Sequence, residues 1–157
     1  MAIQYHKKFT KNDFKREAIL AVRGAIKAGL FREPVEEKRI IISNLNEKLS
    51  EIYGLEQLPI EYIEGYSSTG SYNRVKIVLN KTSLVTYLHE FAHYLADKTS
   101  CFANNEENAR GWSISLYYCA TPKLCTAAIQ KGLIMHQTEI YEEVEEHGTD
   151  TTRQKSN

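Results

Sequence analysis

The sequence predicts an α+β domain, mainly helical, with a small antiparallel β-hairpin set beside one central helix. Most of the 157-residue chain repeats apolar residues at three- and four-residue steps, the pattern of helices packed along one side. Only the stretch 58–79 alternates with a period of two, and turn residues interrupt it. No apolar run is long enough to span a membrane, and no internal repeat or low-complexity stretch occurs.

Length and composition narrow the class further. A single domain over 1–147 is expected, followed by a polar tail over 148–157, GTDTTRQKSN, that is expected to be disordered. Twenty Lys and Arg balance twenty Asp and Glu, which argues against a nucleic-acid binder dominated by phosphate contacts. The three cysteines, Cys101, Cys119 and Cys125, have no disulfide-framework spacing. The N-terminal stretch lacks the apolar core of a secretion signal, so a soluble, cytoplasmic protein is expected.

In chain order, 11–54 forms a helical scaffold. Phe14, Ala18, Ile19, Val22, Ala25, Ile26 and Leu30 recur at helical spacing over 11–30. Lys7, Lys8, Lys11, Lys15 and Arg16 cluster at its start and read as a solvated helix end. A second helix is expected over 35–53, with Pro34 before it and Gly54 after it. Ile40, Ile41, Leu45, Leu49 and Ile52 form its apolar side. Strands over 58–63 and 74–79 flank GYSSTGSYN, giving a hairpin over 58–79. Helices are expected over 82–98, 105–120 and 123–131, with Pro122 and Gly132 as punctuation. The stretch from Thr138 carries an acidic face of Glu139, Glu142, Glu143, Glu145 and Glu146.

The helix over 82–98 contains His89-Glu90-Phe91-Ala92-His93. At ~100° per residue, the two histidines fall one turn apart on one side, and Glu90 reaches the same side. Leu84, Leu88, Phe91 and Leu95 cluster at about 200–260° from His89. One face is therefore apolar and the other carries ligand-type groups. Two imidazoles so placed can hold Zn²⁺ while a carboxylate handles a bound water. Asp97, one turn past His93, could orient an imidazole.

A catalytic zinc site generally takes three protein ligands. Six residues beyond His93 stands Thr99, so a third histidine at that spacing is absent, and His136 and His147 carry no supporting pattern. Glu106 and Glu107 open the next helix. On its wheel Glu106 borders the apolar face of Ala109, Trp112, Leu116 and Cys119, whereas Glu107 lies nearly opposite. Glu106 is the better third ligand.

These residues resemble the gluzincin-type zinc metallopeptidases, and within them the ImmA/IrrE type. Those proteins show a strand, a short loop, the H-E-x-x-H helix, then E-x-x-A with an aromatic three residues on. Here 75–79, His89 to His93, Glu106 to Ala109 and Trp112 fill those slots. Ala92 replaces a frequent glycine, and the span from His93 to Glu106 is short. The resemblance covers about 72–120 and implies a zincin-like fold, with Zn²⁺ held by His89, His93 and Glu106.

It also implies a zinc metalloendopeptidase acting on a protein or peptide substrate, with Glu90 as general base on a zinc-bound water. An edge strand, here 74–79, would pair with extended substrate. Tyr94, Tyr117, Tyr118, Arg110 and His136 are candidates to assist the oxyanion. Tyr117 has the edge, at ~20° from Glu106 on the wheel. The alternative is a non-catalytic zincin-like domain that binds a partner protein. Glu90 argues against it, because a purely structural site needs no general base.

Overall fold

The computed structural model describes residues 9–63 and 70–131. Lys7, Lys8, most of the turn residues over 65–73, His136, His147, the acidic face over 139–146 and the tail over 148–157 lie outside the described residues. Within them the chain is α+β and mainly helical: α1 (Arg16–Lys27), α2 (Val35–Ile52), β1 (Ile60–Tyr62), β2 (Gly70–Tyr72), β3 (Ile77–Leu79), α3 (Leu84–Thr99), α4 (Glu106–Ala120) and α5 (Pro122–Gln130). No described helix is long and apolar enough to cross a membrane.

The first helix buries the side expected of it. Phe14, Ala18, Ile19, Val22, Ala25, Ile26 and Leu30 are all buried. A 3₁₀ turn over Lys11–Asp13 precedes it, so α1 begins later than the periodicity alone implies. Lys15, from the basic cluster, donates from Nζ to the carbonyl of Ile52, an acceptor that the end of α2 leaves open. The face of α2 is rotated from the expected one. Ile42, Leu45 and Leu49 are buried, whereas Ile40 is 54% exposed. Asn46 shares the buried side, donating to the Leu58 carbonyl at 2.8 Å and accepting from the Tyr87 hydroxyl at 2.8 Å. That polar link favours the register that buries Asn46, a choice invisible to an apolar pattern.

The sheet corrects the expected hairpin. β3 is central, with the order β1-β3-β2. β1 pairs with it in parallel, Ile60 opposite Ile77, and β2 pairs antiparallel, Gly70 opposite Leu79. The hairpin is therefore β2–β3, and its turn is 73–76, so that 74–76, expected to be strand, are turn instead. Asn73 Oδ1 accepts from the backbone N–H of Val75 and Lys76, and Arg74 takes a positive φ of 78°. A polar side chain that bonds the backbone two and three residues on competes with strand pairing. Val75 is left 66% exposed, while Ile77, Val78 and Leu79 are all buried.

α3 starts at Ser83, whose hydroxyl accepts from the Thr86 N–H, and it ends at Ser100 in the left-handed region. Asn105 then caps α4 through Asn108 N at 2.8 Å. Leu84, Leu88, Phe91 and Leu95 point inward as the wheel requires. Phe91 is fully buried, stacked on Trp112 and ringed by Tyr53, Tyr87 and Tyr94. This packing leaves the opposite face of α3 toward a cleft.

Candidate metal centre

The cleft, about 650 Å³, is lined by β2, α3 and the start of α4. Its ionisable lining groups are Tyr72, His89, Glu90, His93, Glu106 and Arg110. Helical spacing brings His89 Nε2 and His93 Nε2 to 3.3 Å, with their rings edge to face. Glu106 arrives from the neighbouring helix. Its Oε1 lies 3.0 Å from His89 Nε2, and its Oε2 lies 2.8 Å from His93 Nε2.

The electrostatics suit ligation. Burial works against a proton on His89, with Glu106 opposing, and the net effect lowers its pKa. Burial also resists ionisation of Glu106, but the two imidazoles together outweigh it and hold the carboxyl below its usual range. Glu90 is only 6% exposed, and burial pushes its carboxyl up to about 7. His93 turns its other nitrogen to Asn104, with Nδ1 and Oδ1 2.7 Å apart. An amide oxygen only accepts, so His93 carries a proton on Nδ1, which makes Nε2 the nitrogen it can offer to an ion.

This donor set could hold a metal ion. Two imidazole nitrogens and a carboxylate are zinc-type ligands, and all three donors lie within 4.8 Å of one another. Tetrahedral bonds of about 2.0–2.1 Å separate ligand atoms by roughly 3.3 Å, close to the spacing found here. No known protein family, curated protein or solved structure matches the chain.

His89, Glu90, His93 and Glu106 thus come together, and neither Glu107 nor Asp97 joins them. Asp97 Oδ2 instead accepts from the Tyr72 hydroxyl at 2.6 Å and lies 3.6 Å from Arg74 Nε. Orientation of His93 falls to Asn104, a loop residue whose sequence neighbours give no signal of that role. Tyr117 is also elsewhere. It is buried, packs against Phe31 and lines a different cavity near the start of α3. A wheel records angle and ignores translation: eleven residues at 1.5 Å each carry Tyr117 about 16 Å along α4 from Glu106.

Of the other candidates, Tyr94 donates to the Glu56 carbonyl and Tyr118 is buried. Arg110 does line the cleft, and its charge further opposes protonation of His89. The strand beside the site is also different. The stretch 74–79 cannot offer an edge, because β3 is paired on both sides. β2 is the edge strand whose residues Gly70, Ser71 and Tyr72 line the cleft.

Proposed function

We propose that the chain is a zinc-dependent metallopeptidase of the gluzincin type, similar to the ImmA/IrrE enzymes, acting on protein or peptide substrates. The observation that carries this is the convergence of His89, His93 and Glu106 within ligand distance, beside a buried carboxylate, Glu90. The first three residues bind the ion, and Asn104 holds the His93 imidazole in the ligating tautomer. A bound zinc supplies Lewis-acid polarisation of a carbonyl and acidifies a water.

Glu90 takes the proton from the attacking water and delivers it to the departing amine nitrogen. Its carboxyl, balanced near neutrality by burial, suits a group that must both accept and release a proton. As the edge strand that lines the cleft, β2 aligns an extended substrate by main-chain pairing. The absence of disulfides among Cys101, Cys119 and Cys125 is consistent with a reducing compartment, and we place the protein in the cytoplasm.

The test is zinc content by elemental analysis of the wild type, Glu106→Ala and Glu107→Ala, followed by a search for cleavage with Glu90→Gln as control. One zinc per wild-type chain, lost in Glu106→Ala and retained in Glu107→Ala, is the expected result. A wild-type chain that takes up no zinc, even when incubated with it, would overturn the proposal.

A further inference from the structure

Arg110 is half-buried on α4, one turn past Glu106, and lines the cleft. Among the described residues it has no carboxylate within ion-pair distance. Glu106, one turn back on the same helix, is already engaged, because both its oxygens meet imidazole nitrogens. With a divalent cation bound, the cleft carries a net positive charge that a neutral peptide does not balance. A guanidinium presents parallel N–H donors that match the two oxygens of a carboxylate, whereas an oxyanion at a reacting carbonyl offers only one.

We propose that Arg110 reads a carboxylate on the substrate, placed beside the scissile bond. This rests on the peptidase reading and narrows its substrate class to peptides with a C-terminal carboxylate or an acidic side chain next to the cleaved bond. The reach is adequate. Four residues of helix separate Arg110 from Glu106 by about 6 Å along the axis, and helical side chains lean back toward the N-terminus. An extended peptide advances roughly 3.3 Å per residue, so the guanidinium falls within one or two residues of the reacting carbonyl.

The experiment measures calorimetric binding of three hydroxamate probes to the zinc-loaded full chain. Each carries one residue: alanine with a free carboxylate, aspartate amide with only its side-chain carboxylate, or alanine amide with neither. Wild type is expected to bind at least one acidic probe about tenfold or more tighter than alanine amide. The tighter of the two acidic probes identifies the source of the carboxylate. Arg110→Gln should erase the preference, and Arg110→Lys should keep part of it, with zinc content and circular dichroism confirming that the variants are folded and loaded.

Equal binding of all three probes by zinc-loaded wild type, or a preference that survives Arg110→Gln, overturns the proposal while leaving the metal site standing. A wild-type chain without zinc overturns both.

Discussion

Asn104 Oδ1 lies 2.7 Å from Nδ1 of His93, so a loop residue between α3 and α4 sets the tautomer of a candidate ligand carried by α3. Partners of this kind typically change metal affinity by about 10- to 100-fold when removed. Asn104→Ala is therefore expected to weaken zinc binding by that factor in a competition titration with a chelator. Asp97→Asn should leave zinc affinity unchanged, since Asp97 faces Tyr72 and Arg74. Asp97→Ala, which removes the acceptor of the Tyr72 hydroxyl, should instead cost about 1 kcal/mol of stability, the net worth of one partly buried hydrogen bond. A loss of zinc affinity in Asp97→Asn alone would reverse these assignments.

The second prediction concerns the inner face of α2. Ile42 is fully buried and Ile40 is 54% exposed. Ile42→Ala should destabilise the fold by about 2–5 kcal/mol, through lost transfer energy and the cavity left behind. Ile40→Ala should stay within roughly 0.5 kcal/mol of wild type. Urea denaturation of both variants distinguishes this face from the one centred on Ile40 and Ile41.

That contrast shows which parts of the structure local pattern could reveal. α3 was readable because its apolar stripe and its polar face both follow from a single helical period, and Ser83 marks its start. Glu106 was readable for the same reason, since its angle on α4 decides which side it faces. The register of α2 depends on Asn46 bonding to Leu58 and Tyr87, partners distant in sequence. The parallel pairing of β1 with β3 is likewise a long-range choice, made after Asn73 turns the chain between β2 and β3. Tyr117 stands apart from the cleft, since angular proximity to Glu106 carries no information about distance along the helix.

Alkaline pH provides a third test, independent of any metal. Burial pushes the phenols of Tyr53, Tyr62 and Tyr117 up to about 12, from an ordinary value of 10.0. Between those values the unfolded chain releases phenolic protons that the folded chain retains. Stability contributed by these groups is complete below pH 10 and falls as pH rises toward 12. The urea midpoint should drop across that window, together with the appearance of tyrosinate absorbance. Tyr62→Phe should flatten the decline, and near neutrality it should cost little, because the Tyr62 hydroxyl is buried without a hydrogen-bond partner among the described residues. An unchanged midpoint from pH 10 to 12 would contradict the assigned burial.

The last prediction tests how closely β2 approaches Glu90. A Cβ added at Gly70 would come within 3.0 Å of the Val78 carbonyl oxygen, 3.0 Å of Thr86 Cγ2 and 3.3 Å of Glu90 Cγ. The carbonyl belongs to β3, which is paired on both sides, so it has little room to yield. Relief must come from a shift of β2 or from displacement of the Thr86 and Glu90 side chains. Either change alters the wall facing the proposed general base, while His89, His93 and Glu106 lie on other elements. Gly70→Ala is therefore expected to lower peptidase turnover by about tenfold or more while zinc content stays at the wild-type level, since even a displacement of about 1 Å can cost much of a reaction's rate. Full turnover in Gly70→Ala would show that the strand can retreat without disturbing Glu90, and loss of zinc would show that β2 supports the ligands themselves.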